Sequence, residues 1–297
     1  VALADRLNAE ILALDSMTLY RGMDIGTAKP TMQQRAGIPH HLIDVLDPWE
    51  SASVADYRAW AIEAIGQIEA RGKRPLFVGG TALYLKALLR GLFPGPGADE
   101  SLRNALEDEA NCLGDRALHE RLARLDPSAA ARLHPNDRRR VIRALEVLAV
   151  TGLPLSQWQT EHARAAPADV HVYALSPPRQ TLHSRIDKRV VAMFDEGLVE
   201  EVRQLIEAPR PLGPVPAQGV GYKEVIEMLR GAGSLDETIA KVQARTRQFA
   251  KRQSTWFRGL AEVRILEVAG DESPQEVADR LVFQIDQQTD LSRIPTL

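Results

Sequence analysis

Cysteine is almost missing from this chain: Cys112 is the only one in 297 residues. A lone thiol excludes a disulfide framework and cysteine-rich zinc sites, and a reducing cytoplasm is its simplest home. The seven histidines have no metal-ligand spacing, so no structural metal site is expected. No apolar run approaches the length of a membrane span, and no signal peptide is visible. Neither sign of charge prevails. A net charge of −3 does not advertise a nucleic-acid partner, so any such site must come from local patches. There is no initiator methionine and no Gly-x4-Gly-Lys-Ser/Thr phosphate loop. The nearest approach, Gly66 to Gly72-Lys73, has five intervening residues and Arg74 after the lysine, which disqualifies it.

What is present is the composition of a soluble globular protein, 44% hydrophobic and 26% charged. The length allows a large core in one or two domains. Short apolar runs at 11–14, 41–45, 75–78, 170–175 and 263–266 read as strands. Amphipathic helical patterns, such as 54–71 and 181–206, lie between most of them. This alternation predicts an α/β fold, a parallel sheet wrapped by helices. The order breaks after Pro94-Gly95-Pro96-Gly97, a turn-rich hinge. From 99 to 166 only helices are expected. Asp126-Pro127 and Asn136-Asp137 are starts, and Thr151-Gly152-Leu153-Pro154 is a stop. The expected domains are the first part of the α/β core at 1–97, an all-helical insertion at 98–167, the second part of the core at 168–270, and a C-terminal helix and tail at 271–297.

The most informative stretch runs from Asp15-Ser16-Met17-Thr18 through Arg21 and Lys29 to Pro30. It follows the first apolar run, and open α/β sheets bind ligands outside the carboxyl ends of their strands. By residue type alone, a capped turn explains the loop equally well. Gly79-Gly80-Thr81 follows the third run and opens a helix through Leu89. Glycines there let backbone approach a ligand, and a helix N-terminus favours anions. In isolation, Thr81 as a structural cap is the simpler reading. Asp15 and Thr81 nevertheless both follow strands and project from one sheet edge, the convergence an active site requires.

Three clusters of positive charge stand out. Arg185 and Arg189 are four apart and share a helical face beside Lys188. They suit a diphosphate, whose oxygens match the guanidinium fork, or form an ordinary solvated face. Arg138-Arg139-Arg140 and Arg143 open another helix against its dipole, either for an anionic partner or as a crowded surface. The segment 241–258 carries Lys241, Arg245, Arg247, Lys251, Arg252 and Arg258 with no acid, interleaved with Phe249, Trp256 and Phe257. The aromatics fit a buried stripe, whereas the unbalanced charge points to backbone phosphates. Gln218-Gly219-Val220-Gly221-Tyr222-Lys223 is a flexed loop with Tyr222 available to stack.

Taken in order, residues 15–30, 40–48, Gly79-Gly80-Thr81, Leu133-His134-Pro135-Asn136-Asp137, Gly219-Val220-Gly221-Tyr222 and Lys251-Arg252-Gln253 resemble the bacterial tRNA dimethylallyltransferases. The resemblance runs from Val1 to about Leu266. It implies a P-loop-kinase-like core with a helical insertion. The implied reaction moves the dimethylallyl group of dimethylallyl diphosphate to N6 of adenosine 37, beside the anticodon of tRNAs reading UNN codons, with Mg2+ and release of diphosphate. By the same resemblance, Asp15 is the general base, Thr81 sits near the diphosphate and the amine, and Arg189 stabilises the departing diphosphate. Gly79, Gly80, Arg185 and Arg189 are its diphosphate contacts. The implied tRNA contacts are Asp15, Ser16, Met17 and Thr18, then Arg103, then Arg139, Arg140, Val141, Ile142 and Arg143. They continue through Gln218, Gly219, Val220, Gly221, Tyr222 and Lys223, and end on Lys251, Arg252, Gln253, Ser254, Thr255, Trp256, Phe257 and Arg258. A monomer is the family norm.

The family's phosphate loop should lie just before Val1. The start, Val1-Ala2-Leu3-Ala4-Asp5-Arg6-Leu7, reads as the tail of a helix cut just after that loop, and such a fragment is expected to be nearly inactive. Three alternatives stay open: a relative that prenylates free AMP or ATP, a phosphotransferase on the same core, and a non-catalytic RNA-binding protein.

Overall fold

A computed structural model describes residues 1–92, 95–158 and 170–291. Pro94, the 159–167 end of the expected insertion and the 292–297 tail lie outside these. In chain order the elements are α1 (Ala2–Arg6), β1 (Ala9–Leu14), α2 (Met32–Arg35), β2 (His40–His41), α3 (Val54–Ala70), β3 (Arg74–Gly79) and α4 (Ala82–Arg90). Helices α5 (Glu100–Leu113), α6 (Asp115–Leu125), α7 (Pro127–Ala130), α8 (Arg138–Thr151) and α9 (Leu155–Trp158) follow. The chain continues with β4 (Val172–Ser176), α10 (Arg179–Asp195), α11 (Leu198–Glu207), α12 (Tyr222–Leu229), α13 (Leu235–Arg258), β5 (Val263–Glu267) and α14 (Pro274–Leu291). Two compact units result, one of residues 1–88 and 168–297, the other of residues 89–167. The division falls inside α4, a few residues before the glycine-proline stretch.

In the α/β unit, β1 is the middle strand of a parallel sheet ordered β2-β1-β3. All six of its residues are buried, the continuous apolar pattern of a parallel strand covered on both faces. The β1–β3 register pairs Leu14 with Gly79, so Asp15 and Gly80 leave the sheet side by side. Strands β4 and β5 form a second parallel pair, and among the described residues no ladder joins them to β3. The strands are parallel as expected but fall into two groups. The strand expected at 41–45 shrinks to His40–His41, because Leu42 and Asp44 take φ of 61° and 57°, outside the extended region. A bridge from Tyr20 to Leu46 restores pairing beyond them.

Helix α3 starts on a capping box of Ser53 with Asp56. It buries Tyr57, Ala61, Ala64 and Ile68, and the Tyr57 hydroxyl donates to the Ala13 carbonyl at 2.9 Å. The single helix expected over 181–206 is two. Gly197, at φ +104°, takes a conformation side chains disfavour, which ends α10 and starts α11. Helices α10 and α13 pack through Ile186, Val190 and Val242.

Among its described residues the second unit has helices and connecting loops and no strand. Leu106, Leu118, Leu122, Val141, Leu145 and Val147 form its core. Asp126 caps α7 by accepting from the Ala129 amide at 3.0 Å. Gly152, left-handed, ends α8.

Candidate active site

The loop after β1 folds around its own carboxylate. Asp15 Oδ1 accepts from the Met17 amide at 2.7 Å and the Thr18 amide at 3.4 Å. Oδ2 accepts from no described residue, so it is the oxygen left for a ligand. The Ser16 amide donates to Thr81 Oγ1 at 3.3 Å, and the Gly80 and Thr81 amides both donate to the Leu14 carbonyl, at 3.1 and 3.0 Å. The strand ends that the sequence aligned therefore meet through side chains as well as backbone. Gln253, from α13, donates to the Gly80 carbonyl at 3.0 Å and brings the basic helix to the same place.

Beneath this edge lies an aromatic floor that sequence reasoning did not find. Tyr57 and Tyr84 stack with centroids 3.8 Å apart. Burial, with the Tyr20 phenol and the Asp15 and Asp56 carboxylates near it, pushes the Tyr84 phenol up to about 12. Both tyrosines stay protonated at neutral pH, as neutral walls next to Asp15. Their only sequence signal was helical spacing toward the strand ends.

The loop that follows is fastened at several points. The Lys29 side chain is buried and donates to the Tyr20 carbonyl at 2.9 Å, to Asp24 at 2.5 Å and to Asp44 at 2.6 Å. Arg21 pairs with Asp47 at 2.8 Å. These two cations thus hold the loop rather than face a ligand.

Other expected site residues are placed differently from their sequence reading. Tyr222 is buried at 1% exposure and donates to Glu201 at 2.6 Å. It is not free to stack on a base, because α12 turns its ring under the loop after β1. Val141 and Ile142 are in the core of the helical unit, because they lie on the apolar stripe of α8. That leaves exposed Arg139 and Arg140 to carry any RNA contact from this turn. Thr18 is buried, and its hydroxyl has no partner among the described residues. Arg103 and Arg143 both donate to the buried Glu146 carboxylate.

The positive charge of α13 divides along its length. Lys241, Arg245 and Arg247 pair with Glu227, Glu224 and Asp187. No described acid pairs with Lys251, Arg252 or Arg258, which are exposed together with Ser254, Thr255 and Trp256. The segment's surplus charge is thus concentrated at the end nearest Gln253. On α10, Arg185 donates to the Gly270 carbonyl. Arg189 is exposed, and no hydrogen bond or ion pair links it to Asp15 or Thr81. Between α11 and α12 a cavity of about 350 Å³ is bordered by Gln218, Lys223 and Arg230.

A family model described as IPP transferase matches residues 18–260. The tRNA dimethylallyltransferase of Geobacter sulfurreducens is 51% identical over 259 residues, 87% of this chain and 83% of its own. That of Anaeromyxobacter dehalogenans is 47% identical over 282 residues, 95% and 93% of the two chains. Among solved structures, the full-length tRNA isopentenylpyrophosphate transferase of Bacillus halodurans superposes with a TM-score of 0.70 at 39% identity, covering 98% of this chain and 92% of that one. A eukaryotic dimethylallyltransferase acting on tRNA gives a TM-score of 0.81 at 29% identity, covering 98% and 75%. The loop after β1 tied through Ser16 to Thr81, the helical unit and these similarities agree: the chain belongs to the IPP transferase family.

Proposed function

We propose that the protein is a tRNA dimethylallyltransferase that joins C1 of dimethylallyl diphosphate to N6 of adenosine 37 in the anticodon loop. The N6–C1 bond forms as the C1–O bond to diphosphate breaks, and one amine proton leaves. Asp15 is the residue assigned to that proton. The Met17 and Thr18 amides fix its Oδ1 and leave Oδ2 without a described partner, which supports that assignment. A positioned carboxylate contributes about 10²–10⁴-fold to a proton transfer of this kind. Thr81, held against Ser16, is assigned to the leaving diphosphate and the amine. Arg189 is assigned to the charge that develops on that diphosphate, an electrostatic role.

No three described His, Cys, Asp or Glu side chains cluster to hold a metal ion. Thr81 Oγ1 would be the protein ligand of a magnesium ion that takes most of its ligands from water and substrate phosphates, its usual habit, which leaves Asp15 Oδ2 to the amine proton. Such an ion supplies neutralisation of the diphosphate's charge. An adenine stacked in an anticodon loop must be turned out before N6 can react, at a cost of a few kcal/mol. Lys251, Arg252 and Arg258 provide charge to hold the loop's backbone while this happens. The protein is assigned as a monomer.

The observation that carries this reading is the Asp15–Ser16–Thr81 junction. Its test offers the full gene product labelled dimethylallyl diphosphate with an anticodon stem-loop RNA and AMP side by side. Label is expected in the RNA, and Asp15→Asn should lose roughly 10²–10⁴-fold of that rate while RNA binding persists. Label in AMP alone would establish the free-nucleotide reading, and RNA binding without transfer would leave an RNA-binding protein.

A further inference from the structure

Glu201 sits in the first turn of α11, and none of the sequence motifs includes it. Its Oε2 accepts from the amides of Asp24 at 2.9 Å and Ile25 at 2.7 Å, and its Oε1 from the Gly26 amide at 3.2 Å. The Tyr222 hydroxyl completes the set, donating to Oε1 at 2.6 Å. Three consecutive backbone N–H groups converging on one carboxylate form an anion-binding concavity, here filled by the protein's own side chain. The segment they belong to follows Asp15 in the same loop. A second link joins the same two regions. A Cβ on Gly26 would stand 2.5 Å from the Tyr222 ring, and one on Gly219 would stand 3.2 Å from Met17 Sδ. Met17 is also the residue whose amide fixes Asp15.

We infer that Glu201 is a positioning residue that locks the Asp15 loop onto the buried Gly219–Tyr222 turn, so that the proton acceptor and that turn keep one register. This rests on the reaction proposed above. Burial and the neighbouring Glu201 charge raise the Tyr222 phenol above its usual range, so it remains a donor throughout the physiological range. A carboxylate is required because all four groups that face it donate. In Glu201→Gln one oxygen becomes an NH2 group. At Oε1 it would confront the Gly26 amide, and at Oε2 the amides of Asp24 and Ile25, none of which can reverse its polarity.

The test compares wild type, Glu201→Gln, Tyr222→Phe and the double variant. Single-turnover dimethylallyl transfer to a saturating anticodon stem-loop RNA is measured well below the melting temperature, together with amide hydrogen exchange. Transfer should fall about tenfold or more in Glu201→Gln, since small misplacements of reacting groups have effects of that size. Tyr222→Phe should lose less, and the double variant should be within twofold of Glu201→Gln. Exchange should quicken at residues 17–18 and 24–26 but not along β1 and β3. Transfer within twofold of wild type in Glu201→Gln, additive losses, or quickened exchange across β1 and β3 would overturn the inference. If wild type transfers no label, the proposed reaction fails, and local against unchanged exchange at 17–18 and 24–26 still decides whether Glu201 sets this loop.

Discussion

The Ser16 amide donates to the Thr81 hydroxyl oxygen across 3.3 Å, joining the loop after β1 to the residue that precedes α4. Thr81→Val keeps the side-chain shape but leaves that amide without its acceptor, a cost of about 1–2 kcal/mol for a partly buried donor. Thr81→Ser keeps the oxygen. Single-turnover transfer to an anticodon stem-loop RNA should therefore fall roughly ten- to a hundredfold in Thr81→Val and much less in Thr81→Ser. Equal rates in the two variants would remove Thr81 from the site.

Neighbouring glycines Gly79 and Gly80 should respond differently to alanine. A Cβ on Gly79 runs into the Leu14 carbonyl, which is backbone of the central strand and itself accepts from Gly80 and Thr81. A Cβ on Gly80 meets the amide nitrogen of Gln253, the end of a flexible side chain. Gly79→Ala should therefore destabilise the unit by about 1–3 kcal/mol, the range for forced overpacking. Gly80→Ala should change stability little but release Gln253 from the Gly80 carbonyl, lowering transfer more than the melting temperature. Urea denaturation and transfer assays of both variants separate the two effects.

Much of this arrangement was legible in the chain, for identifiable reasons. β1 and β3 announced themselves as apolar runs, and strand ends define where Asp15 and Thr81 must emerge. The helical unit was marked by Asp126-Pro127 and Gly152, residues whose capping role is local. What escaped were decisions made by distant partners. Tyr222 reads as an exposed stacking residue until α11 brings Glu201 to its hydroxyl from 21 positions away. Glu146, a carboxylate on an apolar helical face, carried a signal of its own, since a buried acid requires partners. Its two arginines were instead assigned outward. The 181–206 pattern stayed in helical phase across Gly197, so periodicity alone did not reveal the break.

Acid sensitivity should originate at the start of β1. Glu10 is 5% exposed and accepts from Arg71 at 2.6 and 3.1 Å and contacts His41 Nε2 at 2.7 Å. The Arg71 hydrogen bonds, joined by His41 and opposed by burial, hold its carboxyl at about 2. A carboxylate depressed in the folded state stabilises it above the unfolded value, and that contribution is lost as pH falls through the folded value. Wild type should therefore exceed Glu10→Gln in stability by about 2 kcal/mol above pH 5, the scale of charge-assisted bonds. The gap should close between about pH 4.5 and pH 2. Urea midpoints across that window test it, and a gap independent of pH would refute the assignment.

Arg103 and Arg139 were both assigned to RNA, yet their surroundings predict opposite behaviour. Arg103 grips both oxygens of Glu146, at 2.8 and 3.0 Å, and the Glu146 side chain has no exposed surface. Burial alone would raise that carboxyl, but Arg103, Arg143 and the Asp99 amide together hold it below the usual range. Removing Arg103 leaves a buried charge with fewer partners, which is strongly destabilising in general. Because Arg143 remains and Arg103 is itself 40% exposed, the loss should be about 2 kcal/mol. Arg139 is exposed on α8, and no described carboxylate pairs with it. Arg139→Ala should leave the melting temperature unchanged, weaken binding to any anticodon stem-loop sequence, and reduce the salt dependence of that binding by about one unit of slope. Arg103→Ala should lower the melting temperature and leave the slope unchanged, because its guanidinium is already committed to Glu146. Calorimetry with salt-titrated RNA binding on both variants decides the matter. A reduced slope in Arg103→Ala at unchanged stability would return Arg103 to the RNA interface.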